Sequence, residues 1–364
     1  MIDIRKGDCR ELLREMLAGS VRCCVTSPPY WGLRDYGTAT WEGGDEACEH
    51  NVLLWQGPKQ TQGAQSGHSS KANRLDRTEC ECGARRIDSQ LGLEKTPEEY
   101  VARLVEVFRE VRRVLADDGT LWLNLGDSYA SGGRGGGMEG EAGAKQRSNF
   151  GALLGPKKAP DGLKPKDLVG IPWRVAFALQ ADGWYLRSEI IWAKPNPMPE
   201  SVTDRPTKAH EYLFLLAKSQ RYYYDAAAIA EPCSDDMQRR AALGHTRGAN
   251  GKVDASRCDS DTLRGEHAKA IDVSNGRNRR TVWTVPTQPF SGAHFAVMPE
   301  ALVEPCILAG SAPGDTVLDP FAGSGTVGVV ALRHGRRFIG CELNAEYARM
   351  AQRRISGPLF ADVN

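Results

Sequence analysis

The sequence predicts an α/β fold: a sheet covered by helices on both faces, with its ligand-binding half placed last in the chain. Three observations carry this. Short apolar runs of strand character alternate with helical patterns along the 364 residues, the mark of parallel strands joined by helical crossovers. A glycine-rich turn, "VLDPFAGSGTVG" at 317–328, follows one such run. After the next run, ending at Glu342, only 22 residues remain, so the rest of the sheet has to come from upstream.

Seven runs read as strands: 2–4, 23–26, 120–126, 184–194, 211–218, 315–319 and 336–342. The clearest helix is "TPEEYVARLVEVFREVRRVL" at 96–115. Thr96 can cap it, Pro97 suits the first turn, Glu99 completes a capping box, and its apolar positions follow the helical period. A second helix spans 344–355 with Asn344 as cap, and a third starts near Ser324 after the glycine turn. Three polar stretches interrupt the pattern, at 38–92, 131–166 and 226–288, and read as loops or a small subdomain inserted into the core. The expected organisation is 1–37 with 93–225 as one half of the core, 38–92 as a Cys/His-containing insertion, 226–288 as a recognition region, and 289–364 as the ligand-binding half.

Composition excludes some classes. Hydrophobic residues make up 41% and charged residues 26%, ordinary values for a globular protein. No apolar run approaches the roughly 18 residues a membrane span needs, and the N-terminal residues do not form a secretory signal. A cytoplasmic protein without membrane partners is expected. Net charge is +1, so no global field marks a polyanion binder, although 233–290 carries ten basic against seven acidic residues.

Ten cysteines without a secretory signal argue against a disulfide framework. Cys23, Cys24, Cys306 and Cys341 sit in apolar runs and read as small core residues. Cys48 and His50, in "ACEH", and Cys80 and Cys82, in "ECECG", form two short turns whose four soft ligands suit one structural zinc; unrelated surface cysteines are the alternative.

Two motifs carry chemistry. In "CCVTSPPYWGLRDY" at 23–36 a strand stops at Ser27, two prolines stiffen the turn, and Tyr30 and Trp31 follow. In the glycine turn, Gly323, Gly325 and Gly328 fit a G-x-G-x-x-G spacing, and Glu342 lies 19 residues after Gly323, where a carboxylate can grip ribose hydroxyls. Taken alone this second motif fits a dinucleotide enzyme, but too little chain follows for the second half of such a fold. A phosphate-binding loop of the Gly-Lys-Ser/Thr type is excluded. The permuted order makes the strand before Ser27 a neighbour of the glycine turn.

With "TSPPYW" at 26–31, "DPFAGSGT" at 319–326, "GCELN" at 340–344, "IIWAKPNPMPE" at 190–200, "HEYLFLLAK" at 210–218, "HFAVMPEALVEPCILA" at 294–309 and "KGDC" at 6–9, the chain resembles the β class of amino-methylating DNA methyltransferases. The resemblance covers about two thirds of the chain and lies in the order of its motifs. It implies a permuted Rossmann-like S-adenosylmethionine-dependent methyltransferase fold with a mixed seven-stranded sheet. The implied activity is transfer of a methyl group to the exocyclic amine of a base flipped out of double-stranded DNA. By the same resemblance, Asp319, Phe321, Gly323, Ser324, Gly325 and Thr326 should contact the methionine part of the cofactor. Glu342 should hold its ribose, Asp8 and Cys9 should lie by the adenine, and His294, Phe295 and Pro299 should line the far side.

The chemistry explains the first motif. An exocyclic amine is a weak nucleophile because its lone pair is delocalised into the ring. Ser27 Oγ and the Pro28 carbonyl can accept its two hydrogens, Pro29 fixes the turn, and Tyr30 can stack on the base, with Trp31 as buttress. A C5-cytosine enzyme is disfavoured, because it needs a cysteine nucleophile where Ser27 stands. Within the family the chain resembles, a serine there is commoner in enzymes acting on cytosine N4, so that target is preferred over adenine N6; RNA or protein substrates are further alternatives. His210 and Glu211 read first as structural. Arg277, Arg279 and Arg280, in 226–288, are expected at DNA phosphates or guanines. A bacterial or phage-encoded, nucleoid-associated enzyme, monomer or homodimer, is expected, with a cognate restriction enzyme as a candidate partner.

Overall fold

The computed structural model describes residues 2–32, 36–45, 47–48, 80, 82–130, 162–243, 246–247, 269–270, 273–274, 276–288 and 297–357. In order, the elements are β1 (Ile2–Lys6), α1 (Cys9–Arg14), β2 (Val21–Thr26), β3 (Thr40–Glu42), β4 (Arg85–Ile87), α2 (Pro97–Val114), β5 (Leu115–Leu125), α3 (Ile171–Ala181), β6 (Tyr185–Ala193) and β7 (His210–Ala217). There follow α4 (Asp235–Ala242), β8 (Thr246–Arg247), β9 (Lys269–Ala270), β10 (Val282–Thr284), α5 (Glu300–Gly310), β11 (Thr316–Asp319), α6 (Thr326–Arg333), β12 (Arg337–Glu342) and α7 (Ala345–Ile355).

The central sheet runs β1-β12-β11-β2-β5-β7-β6-β10. Only β7 is antiparallel to its neighbours, β5 and β6. The seven expected strands are all present, but the sheet has eight. The added strand, β10, pairs parallel with the edge strand β6. It escapes the sequence because it is three residues long with exposed flanks around one buried residue, Trp283. The stretch 226–288, expected to stand apart as a recognition region, therefore contributes a strand to the core. Among the described residues no helix is long and apolar enough to cross a membrane.

Alternation along the strands shows both faces covered. Cys24, Leu121, Leu123, Phe214 and Leu318 pack under α1, α2 and α3. Cys23, Val25, Trp122, Leu215 and Val317 pack under α5, α6 and α7. Burial on both faces leaves no polar period in the central strands, which is why they read as continuous apolar runs. The caps behave as the residues dictate. Thr96 Oγ1 accepts from the Glu99 N–H at 3.2 Å, Glu99 turns back to the Lys95 N–H at 3.2 Å, and Asn344 Oδ1 accepts from Glu346 and Tyr347.

Candidate active site

Parallel pairing brings the carboxyl ends of β1, β12, β11 and β2 to one edge. Lys6 stands opposite Glu342, Asp319 opposite Gly340, and Val317 opposite Cys23. The two chemical motifs touch: buried Thr26 donates from Oγ1 to Asp319 Oδ1 at 2.6 Å, across 293 positions of sequence.

The turn after β2 is held from several sides. Tyr100 Oη donates to the Pro29 carbonyl at 2.8 Å, the Trp31 indole donates to the Glu94 carbonyl at 2.9 Å, and the Gly32 N–H donates to the Gly92 carbonyl at 2.8 Å. Trp31 thus buttresses the turn. The ring of Tyr30 lies so close over Gly126 that a Cβ there would come within 2.4 Å of the ring, so only glycine fits. The Tyr30 hydroxyl lies 2.7 Å from Glu211 Oε2, 3.1 Å from Asn124 Oδ1 and 3.4 Å from Ser27 Oγ. Burial, then the Glu211 carboxylate, hold its phenol well above the usual value. Glu211 in turn is ion-paired with Lys194, whose ammonium lies 4.2 Å from the centre of the Trp192 ring.

Between the turn and the glycine loop lies a cavity of about 760 Å³. Of the expected residues, Ser27, Pro28, Pro29 and Tyr30 line it, as do Asp8, Cys9, Asp319, Phe321, Gly323, Ser324, Thr326 and Glu342. Two do not. Gly325 takes a left-handed conformation (φ +80°) at the start of α6 and packs against Ala351 and Ile355 of α7. Pro299 caps α5, while its neighbours Val297 and Met298 face the cavity. His294 and Phe295 lie outside the described residues.

The cavity is acidic at its base. Asp319 Oδ1 accepts from Thr26 Oγ1 and from the Phe321 N–H at 3.0 Å, leaving Oδ2 for a ligand. Burial pushes its carboxyl up to about 7; the two hydrogen bonds act against this and nearby Glu342 adds to it. Glu342 accepts from the Gly323 and Asn344 N–H groups at 2.8 Å each, and burial raises its carboxyl as well. Asp8 caps α1 and pairs with Arg10 at 2.5 Å.

The thiols of Cys48, Cys80 and Cys82 lie within 4.8 Å of one another, beside the β3–β4 hairpin. His50 lies outside the described residues. Desolvation acts to raise the Cys82 thiol, but hydrogen bonds from the backbone of Ala84 and Asp45 and from the neighbouring thiols outweigh it and bring it down to about 6. Of the three expected arginines, Arg277 and Arg280 pair with Glu231 at 3.4 and 3.0 Å, and Arg279 lies 4.7 Å over the Trp283 ring.

Several cavity residues carry no sequence signal of their own. Asn124, Trp192 and Glu211 sit inside strands, where a strand pattern hides them. Tyr36, just before the insertion 38–92, and Gln90 and Leu91, at its far end, close one wall, with Gln90 Oε1 accepting from the Tyr36 N–H at 2.7 Å. The one clue was position: the insertion begins a few residues after Tyr30, already assigned to the site.

Comparison with known proteins places these features in context. The family profile described as "DNA methylase" matches residues 21–353. The type II methyltransferase M.Cfr9I of Citrobacter freundii is 44% identical over 352 residues, covering 97% of this chain and 87% of that protein. M.SmaI of Serratia marcescens is 43% identical over 350 residues, covering 96% and 89%. The solved PvuII DNA methyltransferase (cytosine-N4-specific) superposes with a TM-score of 0.54 at 16% identity, covering 98% of this chain and 87% of that one. At that identity the likeness speaks for the fold.

Proposed function

Because the chain belongs to the amino-methylating DNA methylase family and is a DNA methyltransferase, we propose that it methylates the N4 amine of a cytosine flipped out of double-stranded DNA, using S-adenosylmethionine. One observation carries the reading. The acceptor turn at Ser27 and the acid-floored glycine loop line a single cavity and are tied together by the Thr26–Asp319 hydrogen bond.

The cavity fits the cofactor by its donor set. Asp319 offers a carboxylate oxygen to an ammonium group. Glu342 can still accept from ribose hydroxyls, because its two oxygens offer about four acceptor positions and the Gly323 and Asn344 N–H groups do not fill them. Phe321, Cys9 and Leu91 supply apolar wall for an adenine. Bound there, S-adenosylmethionine supplies a methyl group already activated on a sulfonium. The protein's part is chiefly positioning. Ser27 Oγ and the Pro28 carbonyl accept the two amine hydrogens and turn the nitrogen lone pair towards the cofactor side. Tyr30 offers its ring to the extruded base, whose unstacking costs a few kcal/mol. Arg280, 69% exposed, remains available to a phosphate, while Arg277 and Arg279 brace the segment around β10. The type II relatives support a role in a restriction–modification pair, with the enzyme and its DNA in the bacterial cytoplasm.

A neutral serine at the turn favours cytosine N4; adenine N6 is the second reading. Mass spectrometry of digested DNA after reaction should show N4-methylcytosine. N6-methyladenine in its place would move the target while leaving the site standing.

The cysteine cluster is proposed to hold one zinc. The separation of 3.8 Å between the Cys48 and Cys80 sulfurs equals the edge of a tetrahedron with zinc–sulfur bonds of about 2.3 Å. With His50 as fourth ligand no position stays open, so the ion would be structural. Elemental analysis of freshly purified protein should find one zinc per chain, reduced in Cys82→Ser; protein free of metal would refute the assignment.

A further inference from the structure

We propose that Glu211 is the final acceptor of the proton that the target amine gives up, reached from Ser27 through Tyr30. The proposal rests on the reading of the base site above and deepens it.

An amine that gains a methyl group must lose a proton, and among the described residues the side-chain partner of Ser27 Oγ is the Tyr30 hydroxyl, which cannot keep one. Ser27 Oγ can take it only by passing on its own. The structure supplies the path. Ser27 Oγ lies 3.4 Å from Tyr30 Oη, and Tyr30 Oη lies 2.7 Å from Glu211 Oε2. Each hydroxyl holds a single proton, and an ionised carboxylate only accepts. The Tyr30 proton therefore points to Glu211, and the Ser27 proton to Tyr30 Oη. That direction leaves the Ser27 oxygen lone pairs for the amine, so the same chain that drains the proton also orients the acceptor.

Asn124 Oδ1, 3.1 Å from Tyr30 Oη, is the competing acceptor. It is a neutral amide whose Nδ2 is committed to the Tyr212 carbonyl at 3.1 Å, and it cannot keep a proton. Glu211 can. Its charge is balanced by Lys194 in an ion pair whose side chains are each only 16% exposed. Burial and the adjacent carboxylate disfavour a phenolate at Tyr30, so the proton passes through that residue without resting there.

The balance closes. The amine nitrogen bonds to the methyl carbon as that carbon's bond to sulfur breaks, and the sulfonium becomes a neutral thioether. The nitrogen's excess proton goes to Ser27 Oγ, the Ser27 proton to Tyr30 Oη, and the Tyr30 proton to Glu211 Oε2. One positive and one negative charge disappear together. Lys194, left without its counter-charge, then favours return of the proton to solvent. In this role Glu211 acts through Tyr30 and Ser27 and is a positioning residue.

Single-turnover methyl transfer to duplex DNA tests this. Tyr30→Phe keeps the stacking ring and the Glu211–Lys194 pair and removes only the relay hydroxyl. It should slow transfer about 100-fold, with cofactor and DNA affinities unchanged. Glu211→Gln should do the same, and Glu211→Asp should recover part of the loss. The Tyr30→Phe/Glu211→Gln double variant should be no slower than either single, because both cut one path. Wild-type transfer by Tyr30→Phe, or losses that multiply in the double variant, would overturn the proposal. So would a Glu211→Gln effect confined to affinity. If Glu211→Gln does not fold, Tyr30→Phe alone decides. Wild-type transfer by Ser27→Ala would instead remove the base-site reading on which the relay depends.

Discussion

Ser27→Ala should lose about 10²–10³ in turnover while binding the cofactor as the wild type does. The substitution removes the acceptor proposed for one amine hydrogen and the first member of the hydrogen-bond chain to Tyr30. It leaves the floor of the cavity alone. Thr26, one residue earlier, keeps its bond to Asp319, and Glu342 keeps both backbone donors. The Pro29 and Trp31 anchors are also untouched, so the turn should hold its shape. Tritium transfer to DNA measures the first effect and titration calorimetry with the cofactor the second. A variant that methylates at the wild-type rate would show that the turn does not act on the amine.

Asp319→Asn should weaken cofactor binding by about 1–3 kcal/mol, roughly 5- to 150-fold, for one lost charge-assisted bond, and Glu342→Ala by a similar amount. The Asp319 effect should carry a pH signature. Burial pushes that carboxyl up to about 7 in the free protein. Below that pH the group holds its proton and offers no charge to an ammonium; above it the charge is available. Wild-type affinity should therefore rise as the pH climbs from about 6 through 7, and Asp319→Asn should be weak and lack that rise. Calorimetry across this range checks both. Unchanged affinity in both variants would sink the assignment of the acids.

The central strands were legible because burial on two faces writes an uninterrupted apolar run, and the two chemical motifs because each follows such a run directly. β10 was not, since one buried Trp283 between exposed residues carries no period. In the site, Asp319 and Glu342 could be placed because each ends a strand, and Ser27 because it directly follows one. Glu211 and Asn124 could not. They sit within strands β7 and β5, and their inward pairing with Tyr30 follows from antiparallel register, which a single strand's residues do not encode. Gly325 shows the reverse case: its spacing read as ligand contact, yet its requirement is contact with Ala351 and Ile355 of α7.

β2 lies between β5 and β11 in the middle of the sheet. Its partner β11 is made nearly 300 residues later, as the 293-position gap between Thr26 and Asp319 records. During synthesis one edge of β2 thus waits unpaired for most of translation, and such an edge invites wrong pairing. Contacts of this span also slow folding, because a long loop must close before they form. Methylating capacity then cannot grow in step with the emerging chain. It is absent until β11 and β12 have both left the ribosome and docked with Asp319 and Glu342, so a message cut short before codon 319 yields protein without enzyme.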